Sequence, residues 1–354
     1  MSPTLDDPRH PGQWVPGSCA DPVTVESYAC QLPLDPGSAL VITGSLSSNP
    51  ADRWLTREQI WPVQVVFDGR AHLAPSFRLM GKFGASSFAL PVTDDLSAPV
   101  YFSCGSELYA LDLERRAATS YPVPGLNDVH EITQDKSRIL IANTGRDEVV
   151  SFWPQGGTVS RLPLGPFRGR EAAPADEGRP VDRFHVNQVF RGLDGALWAL
   201  VHHFEGWQLL RRVIGGFIKT HGDGGLLNLD EKRALNLGLA APHSVRVVGD
   251  EYWLMNSARN EIITYSSAWQ KRRTIASIGW GRGLAVCGGL VYAGISPVRR
   301  RYRPRPDPSP TEAMIQALRI STGESLACAT VLNVEQINNV YCVTRPVAAR
   351  LLSM

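Results

Sequence analysis

Residues 141–152 read IANTGRDEVVSF and residues 254–265 read LMNSARNEIITY. Aligned without a gap, they share Asn, Arg and Glu, with small or apolar matches at nearly every other place. The register holds upstream as well: His130 lies thirteen residues before Asn143, and His243 lies thirteen before Asn256. Two gapless matches of this length mark an internal repeat, the signature of a stacked or radial architecture.

The same plan recurs along the chain. DRFHVNQVFRGLDGALWALVHHFEGWQLL (182–210) carries it with a longer hairpin, and WGRGLAVCGGLVYAGIS (280–296) carries it with Arg282 at the histidine's place. KFGASSFAL through APVYFSCGSELYALDL (82–113) and VEQINNVYCV (334–343) are further copies. Strand starts are expected near 86, 130, 185, 243, 282 and 338, giving six units of roughly 40 to 58 residues. Short β-branched and aromatic runs bounded by Gly, Asp and Asn dominate, and TREQI and EAMIQAL are the only helical candidates.

The last unit is too short for four strands, so N-terminal strands such as ALVITG or VQVVFDG are expected to complete it. Such closure removes exposed sheet edges. The reading is an all-β, six-bladed β-propeller, with a loop-rich extension over 1–34 and a single domain over 35–354.

Composition fits this. The 354 residues are 43% hydrophobic and 20% charged, ordinary values with ample material for a core. A formal net charge of +2 argues against bulk nucleic-acid binding. The N-terminus lacks the basic and apolar regions of a secretory signal, and no run approaches the ~18 apolar residues of a membrane span. Six cysteines show no C-x-x-C pair, so they read as structural thiols in a reducing cytoplasm.

In a propeller the start of the first strand and the end of the second share one face. The hairpins joining those strands are short, whereas the long segments (161–183, 214–241, 297–311) fall elsewhere, which marks the face of the strand starts as functional. His130, His185 and His243 open onto it. From three successive blades they can meet near the channel as ligands of iron, zinc or copper, with His202 or His203 as a fourth. The alternative is that each histidine hydrogen-bonds a neighbouring blade and holds the ring closed. His10, His72 and His221 lie off the pattern and read as surface residues.

Asn143 with Arg146, and Asn256 with Arg259, fall at the second-strand ends of two equivalent blades. They suit an anionic substrate, or else the asparagines shape turns while the arginines pair with Glu148 and Glu261. Arg282, flanked by Gly281 and Gly283, is the best anchor for an anionic small molecule; an inter-blade salt bridge to Glu335 competes. The segment SPVRRRYRPRPDPSP (296–310) reads as an exposed loop, and its basic stretch 299–305 suits an acidic partner. Three functions follow as expectations. The first is a metal-dependent hydrolase, lyase or oxygenase acting on small molecules. The others are a non-catalytic scaffold, and a metal-free hydrolase or condensing enzyme with a histidine base.

These motifs together resemble an uncharacterised bacterial family of conserved hypothetical proteins, the domain of unknown function 4915 type. The resemblance rests on RLMGKFG, DVHEI, NTGRDEVV, DRFHVN, PHSVRVVGDEYWLMNS, GRGLAVCGGLVYAGIS and VEQINNVY. It implies a six-bladed propeller and brings no catalytic assignment. The family more often carries Leu-Asn-Gly after the histidine of DRFHVN, where this chain has Val-Asn-Gln.

Overall fold

The computed structural model describes residues 13–14, 23–25, 32–47, 50–74, 76–77, 84–90, 97–168, 182–204, 223–298 and 310–354. Six antiparallel sheets follow one another as blades of a propeller. The first comprises β6 (Ser87–Ala89), β7 (Val100–Cys104), β8 (Glu107–Asp112) and β9 (Ala117–Tyr121), with β1 (Gln13–Trp14) on its outer edge. The second runs β10 (Val129–Asp135), β11 (Arg138–Asn143), β12 (Glu148–Trp153), β13 (Thr158–Pro163). The third runs β14 (Val186–Arg191), β15 (Leu197–Val201), β16 (Gly224–Asn228), β17 (Arg233–Leu239). The fourth runs β18 (Pro242–Val248), β19 (Glu251–Asn256), β20 (Glu261–Ser266), β21 (Lys271–Ala276). The fifth runs β22 (Trp280–Cys287), β23 (Leu290–Ser296), β24 (Met314–Arg319), β25 (Ser325–Thr330).

The sixth blade closes the ring in the expected manner. Its inner strand β26 (Gln336–Thr344) comes from the C-terminal part of the chain and pairs with β3 (Ser38–Ser45), followed by β4 (Val63–Phe67) and β5 (Arg70–Leu73). ALVITG lies in β3 and VQVVF forms β4. A short outer strand, β2 (Val23–Val25), adds to β5.

Period-two alternation sends successive side chains of a strand to opposite faces. Here both faces meet a neighbouring blade, so the central strands are apolar throughout. Ile139 and Ile141 of β11 pack toward the first blade, while Leu140 and Ala142 pack toward the third. Likewise Tyr252 and Leu254 of β19 face the third blade, and Trp253 and Met255 face the fifth. The core is thus a ring of inter-blade layers around a narrow channel.

Neither helical candidate is a helix. TREQI is a turn, and EAMIQAL contributes to β24, where Ile315, Ala317 and Leu318 are buried against neighbouring strands. Among the described residues an α-helix forms instead at α1 (Arg345–Leu352), which follows the last strand with proline in its first turn. It buries Val347, Ala348, Leu351 and Leu352 against the first and sixth blades. Among the described residues, no helix is long and apolar enough to cross a membrane.

Candidate functional site at the channel mouth

Five of the inner strands carry a register shift near their start. It falls between Val129 and Ile132, Val186 and Gln188, His243 and Val245, Gly281 and Leu284, and Ile337 and Asn339. A bulge adds an unpaired residue and re-aims side chains. His130, Asn187, Ser244, Arg282 and Asn338 occupy these shifts, which places a polar ring at one mouth of the channel. Gly283 has φ +79°, and a Cβ there would stand 2.7 Å from the Val340 amide nitrogen. Only glycine lets β22 approach β26 this closely.

His130 and His243 are the second residues of their strands, as the repeat requires. His185 instead directly precedes β14, with a left-handed φ of 52° that turns it toward its neighbours. Asp128, Ala241 and Ser244 are also left-handed. Such concentration of unfavourable backbone at one place is a pointer to function. Asp147 supports the arrangement: its carboxylate accepts from the amides of Phe184 and His185 at 2.8 and 3.2 Å.

The rings follow one another. His130 and His185 lie 4.7 Å apart centre to centre, His185 and His202 5.2 Å, and His202 and His243 6.4 Å. His202 therefore stands between two of the expected histidines, while His203 stacks on it at 4.4 Å. The order is a row, and His243 sits at its far end from His130. Among the described residues, no group of three His, Cys, Asp or Glu side chains is placed to hold a metal ion.

Each histidine has polar support. Nδ1 of His185 lies 3.0 Å from both carboxylate oxygens of Asp182, and Nε2 of His130 lies 3.7 Å from Asp128. Nδ1 of His243 lies 3.0 Å from the Ala241 carbonyl oxygen and 2.9 Å from Oγ of Ser257. A carbonyl only accepts, so Nδ1 carries the proton. Ser257 agrees, because its own hydroxyl donates to the Gly281 carbonyl. Nε2 of His243 is then a bare lone pair, and it is buried without a hydrogen-bond partner.

Electrostatics keep this lone pair available. Burial, then the charge of Arg282, then the other histidines hold His243 well below the usual histidine pKa. Burial also depresses His130, against the pull of Asp128. At Asp128 partial burial pushes the carboxyl up, but His130, His185 and Arg282 more than reverse this and keep it below the carboxylate range. Asp182 behaves likewise, with His185 as the main opposing group. The mouth thus joins the neutral imidazoles of His130 and His243, two ionised carboxylates and one guanidinium.

Arg282 belongs to this group, although not through Glu335. Its Nη1 donates to Gln336 and Asn338 of the next blade, each at 3.2 Å. Glu335 is buried and accepts from the backbone amides of Ser47, Trp54 and Leu55, so it fixes a loop instead of meeting a substrate. The asparagines of the repeat are structural too. Oδ1 of Asn143 accepts from the Asn127 amide and Nδ2 donates to Gly125 and Glu148. Asn256 does the same with the Ala240 amide and Glu261. Glu148 takes Arg161, not Arg146, as its cation, and Arg259 is exposed. Neither Arg146 nor Arg259 is among the charges acting on His130, His243 or Asp128. His72 is half-buried and stacks on Phe67 at 4.1 Å. His10, His221, Cys19, Cys30 and the basic stretch 299–305 lie outside the described residues.

Three hydroxyl residues at one repeat position, not singled out in the sequence, clasp the ring. Hydroxyls of Thr144, Ser257 and Ser296 each donate to a carbonyl at the start of the next blade's inner strand: Val186, Gly281 and Ile337. One step further along the channel, Glu131 accepts from Gln188 and Arg246, and Arg246 reaches Asn339. This network spans the channel beside the mouth.

The fold and the mouth define a six-bladed β-propeller whose channel opens through a row of histidines. The family model described as a domain of unknown function (DUF4915) matches residues 201–346, in the C-terminal part of the chain. PHSVRVVGDEYWLMNS, GRGLAVCGGLVYAGIS and VEQINNVY fall within that span. No curated protein matches the sequence. Among solved structures, a protein of unknown function from Bacteroides caccae is similar at 11% identity and a TM-score of 0.54. It covers 87% of this chain and 99% of its own. A chain of a nidogen/laminin complex gives 10% identity and 0.53, covering 86% and 98%. At these identities the likeness establishes the fold alone.

Proposed function

We propose that the channel mouth is a small-molecule catalytic site in which neutral His243 acts as a general base. One observation carries the reading: Nε2 of His243 is a buried lone pair with no partner, its tautomer fixed from behind by Ala241 and Ser257. A base held neutral near working pH and oriented by its other nitrogen is the arrangement proton abstraction needs. Arg282 serves it by keeping the imidazole unprotonated. Asp128 feels that guanidinium and Asp182 holds His185, so a bare anion at the mouth would meet repulsion as well as attraction. A polar ligand with an acidic proton for His243 and hydrogen-bond donors for the carboxylates suits the mouth better.

The test is depletion of compounds from a metabolite mixture, followed by mass spectrometry, with wild type and His243→Gln. The wild type should consume a compound at a rate the variant loses by about 100-fold or more. Equal rates would overturn the base; no consumption by wild type would favour a binding scaffold.

A second reading rests on the same lone pair. An imidazole whose other nitrogen donates to a carbonyl is also how metal ligands are prepared, and iron, zinc or copper would suit His243 and His202. Ligand side chains would have to move together to bind it. Metal analysis of chain purified without chelator or histidine tag, before and after reconstitution, decides this.

A further inference from the structure

Four of the cysteines are described, and all four are free thiols. Two of them meet. Cys287 is the last residue of β22, at the hairpin end away from the histidine mouth, and directly precedes the exposed glycines Gly288 and Gly289. Cys342 lies on β26, opposite Leu40 of β3. These inner strands belong to the fifth and sixth blades and run side by side where Gly283 lets them approach. Both thiols sit in the apolar layer between those blades, with Leu40, Ala285 and Tyr292 around them. Across that layer the two thiols act directly on one another, and Ser38 of β3 acts on both.

We propose that Cys287 and Cys342 are a redox-modification site, a dithiol that becomes a disulfide joining the fifth blade to the closing sixth when it meets a low-molecular-weight disulfide. This is independent of the chemistry at the mouth. The influence of Cys342, helped by Ser38 and opposed by burial, draws the Cys287 thiol below the usual thiol range. The same interaction pushes Cys342 up. Cys287 is therefore the attacking thiolate and Cys342 the resolving thiol.

The exchange balances without another reactant. The Cys287 thiolate attacks one sulfur of R–S–S–R, that bond breaks, and R–S⁻ leaves and takes up the proton Cys287 had shed. Cys342 then loses its proton and attacks the Cys287 sulfur of the mixed disulfide, displacing the second R–S⁻, which is protonated in turn. The protein loses two electrons and two protons, and the reagent is reduced to two thiols. The product would bind the last blade built from the C-terminal part of the chain to the blade before it. It adds a covalent lock where β26 and β3 already close the ring by hydrogen bonds.

The experiment treats the full chain with hydroxyethyl disulfide and maps peptides without reduction. The expected result is one crosslinked pair carrying Cys287 and Cys342. The melting temperature should rise by about 5 °C and return on reduction. Cys342→Ser should stop at a hydroxyethyl adduct on Cys287, and Cys287→Ser should leave Cys342 unmodified under the same treatment. The proposal is overturned if both thiols stay free once the half-buried Cys328 has reacted. It is equally overturned if either pairs with another cysteine, or if Cys287 carries no adduct in Cys342→Ser. The wild-type map decides the matter even if a variant does not fold.

Discussion

Nδ1 of His243 lies 2.9 Å from Oγ of Ser257, and Ser257 passes its own proton on to Gly281 in the next blade. One hydroxyl therefore does two things: it clasps the fourth blade to the fifth and fixes the tautomer of the histidine at the mouth. A repeat position that serves closure elsewhere, in Thr144 and Ser296, here acquires a chemical consequence.

That tautomer and the depressed pKa predict how stability responds to acid. In the unfolded chain a histidine protonates near pH 6.5; folded His243 and His130 do so only at lower pH. Below about pH 6.5 the unfolded state binds more protons, so stability present above that pH is lost as pH falls. The slope is up to about 1.4 kcal/mol per pH unit for each histidine. Asp147 runs the other way, since burial raises its carboxyl to about 6 and its contribution is lost as pH rises through that value. Burial depresses His72 as well and raises Glu131, so with three histidines against two carboxyls urea unfolding should show net loss of stability from pH 6.5 to 5.5. His243→Gln should flatten that loss. A profile that is flat in wild type would show that His243 titrates normally.

Arg282 should control that titration. Its charge is the largest influence on His243 after burial, so Arg282→Met is expected to raise the His243 pKa toward 6.5. Nitrogen-15 correlation spectra of the imidazoles read both this shift and the tautomer. Wild-type His243 should show a protonated Nδ1 and an unprotonated Nε2 at pH 7. An unmoved His243 in the variant would remove Arg282 from the site.

What the sequence revealed depended on how far a residue's role is written in its own strand. The blade count and the closure by β3 were legible because short apolar, β-branched runs and a repeat spacing survive insertion. His130 and His243 were legible by the same register. Arg282 was legible as a member of the mouth, but its partners Gln336 and Asn338 come from a blade more than fifty residues away. Asp128 and Asp182 carried no signal beyond lying two and three residues before a histidine. Asn143 and Asn256 misled for a physical reason: the amide that looks poised for a ligand is spent on an amide sixteen residues upstream and a glutamate five downstream. EAMIQAL misled because its helical spacing is short enough to be overruled by burial in the fifth blade.

The asparagines therefore make a stability prediction rather than a catalytic one. Asn143→Ala and Asn256→Ala each deprive a backbone amide and a carboxylate of a hydrogen-bond partner, at a cost of about 1–3 kcal/mol. Arg259→Ala, on an exposed side chain, should stay within about 0.5 kcal/mol. Denaturant midpoints at constant slope measure both. Loss of ligand turnover with unchanged stability in an asparagine variant would contradict this assignment.

The channel network gives the sharpest test of what holds the centre together. Glu131 is 7% exposed, and Arg246 lies 3.1 Å from it while also donating to Leu284 and Asn339. Burial pushes the Glu131 carboxyl up and Arg246 pulls it back, so the pair is stable only while both members remain. Arg246→Met should cost about 3–5 kcal/mol because it leaves a buried carboxylate without its cation. Glu131→Gln keeps the shape and removes the charge, so adding it to Arg246→Met should recover much of that loss. A double-mutant cycle by urea unfolding measures the coupling. Purely additive losses would mean that Glu131 and Arg246 act separately, and that backbone hydrogen bonds alone set the channel's width.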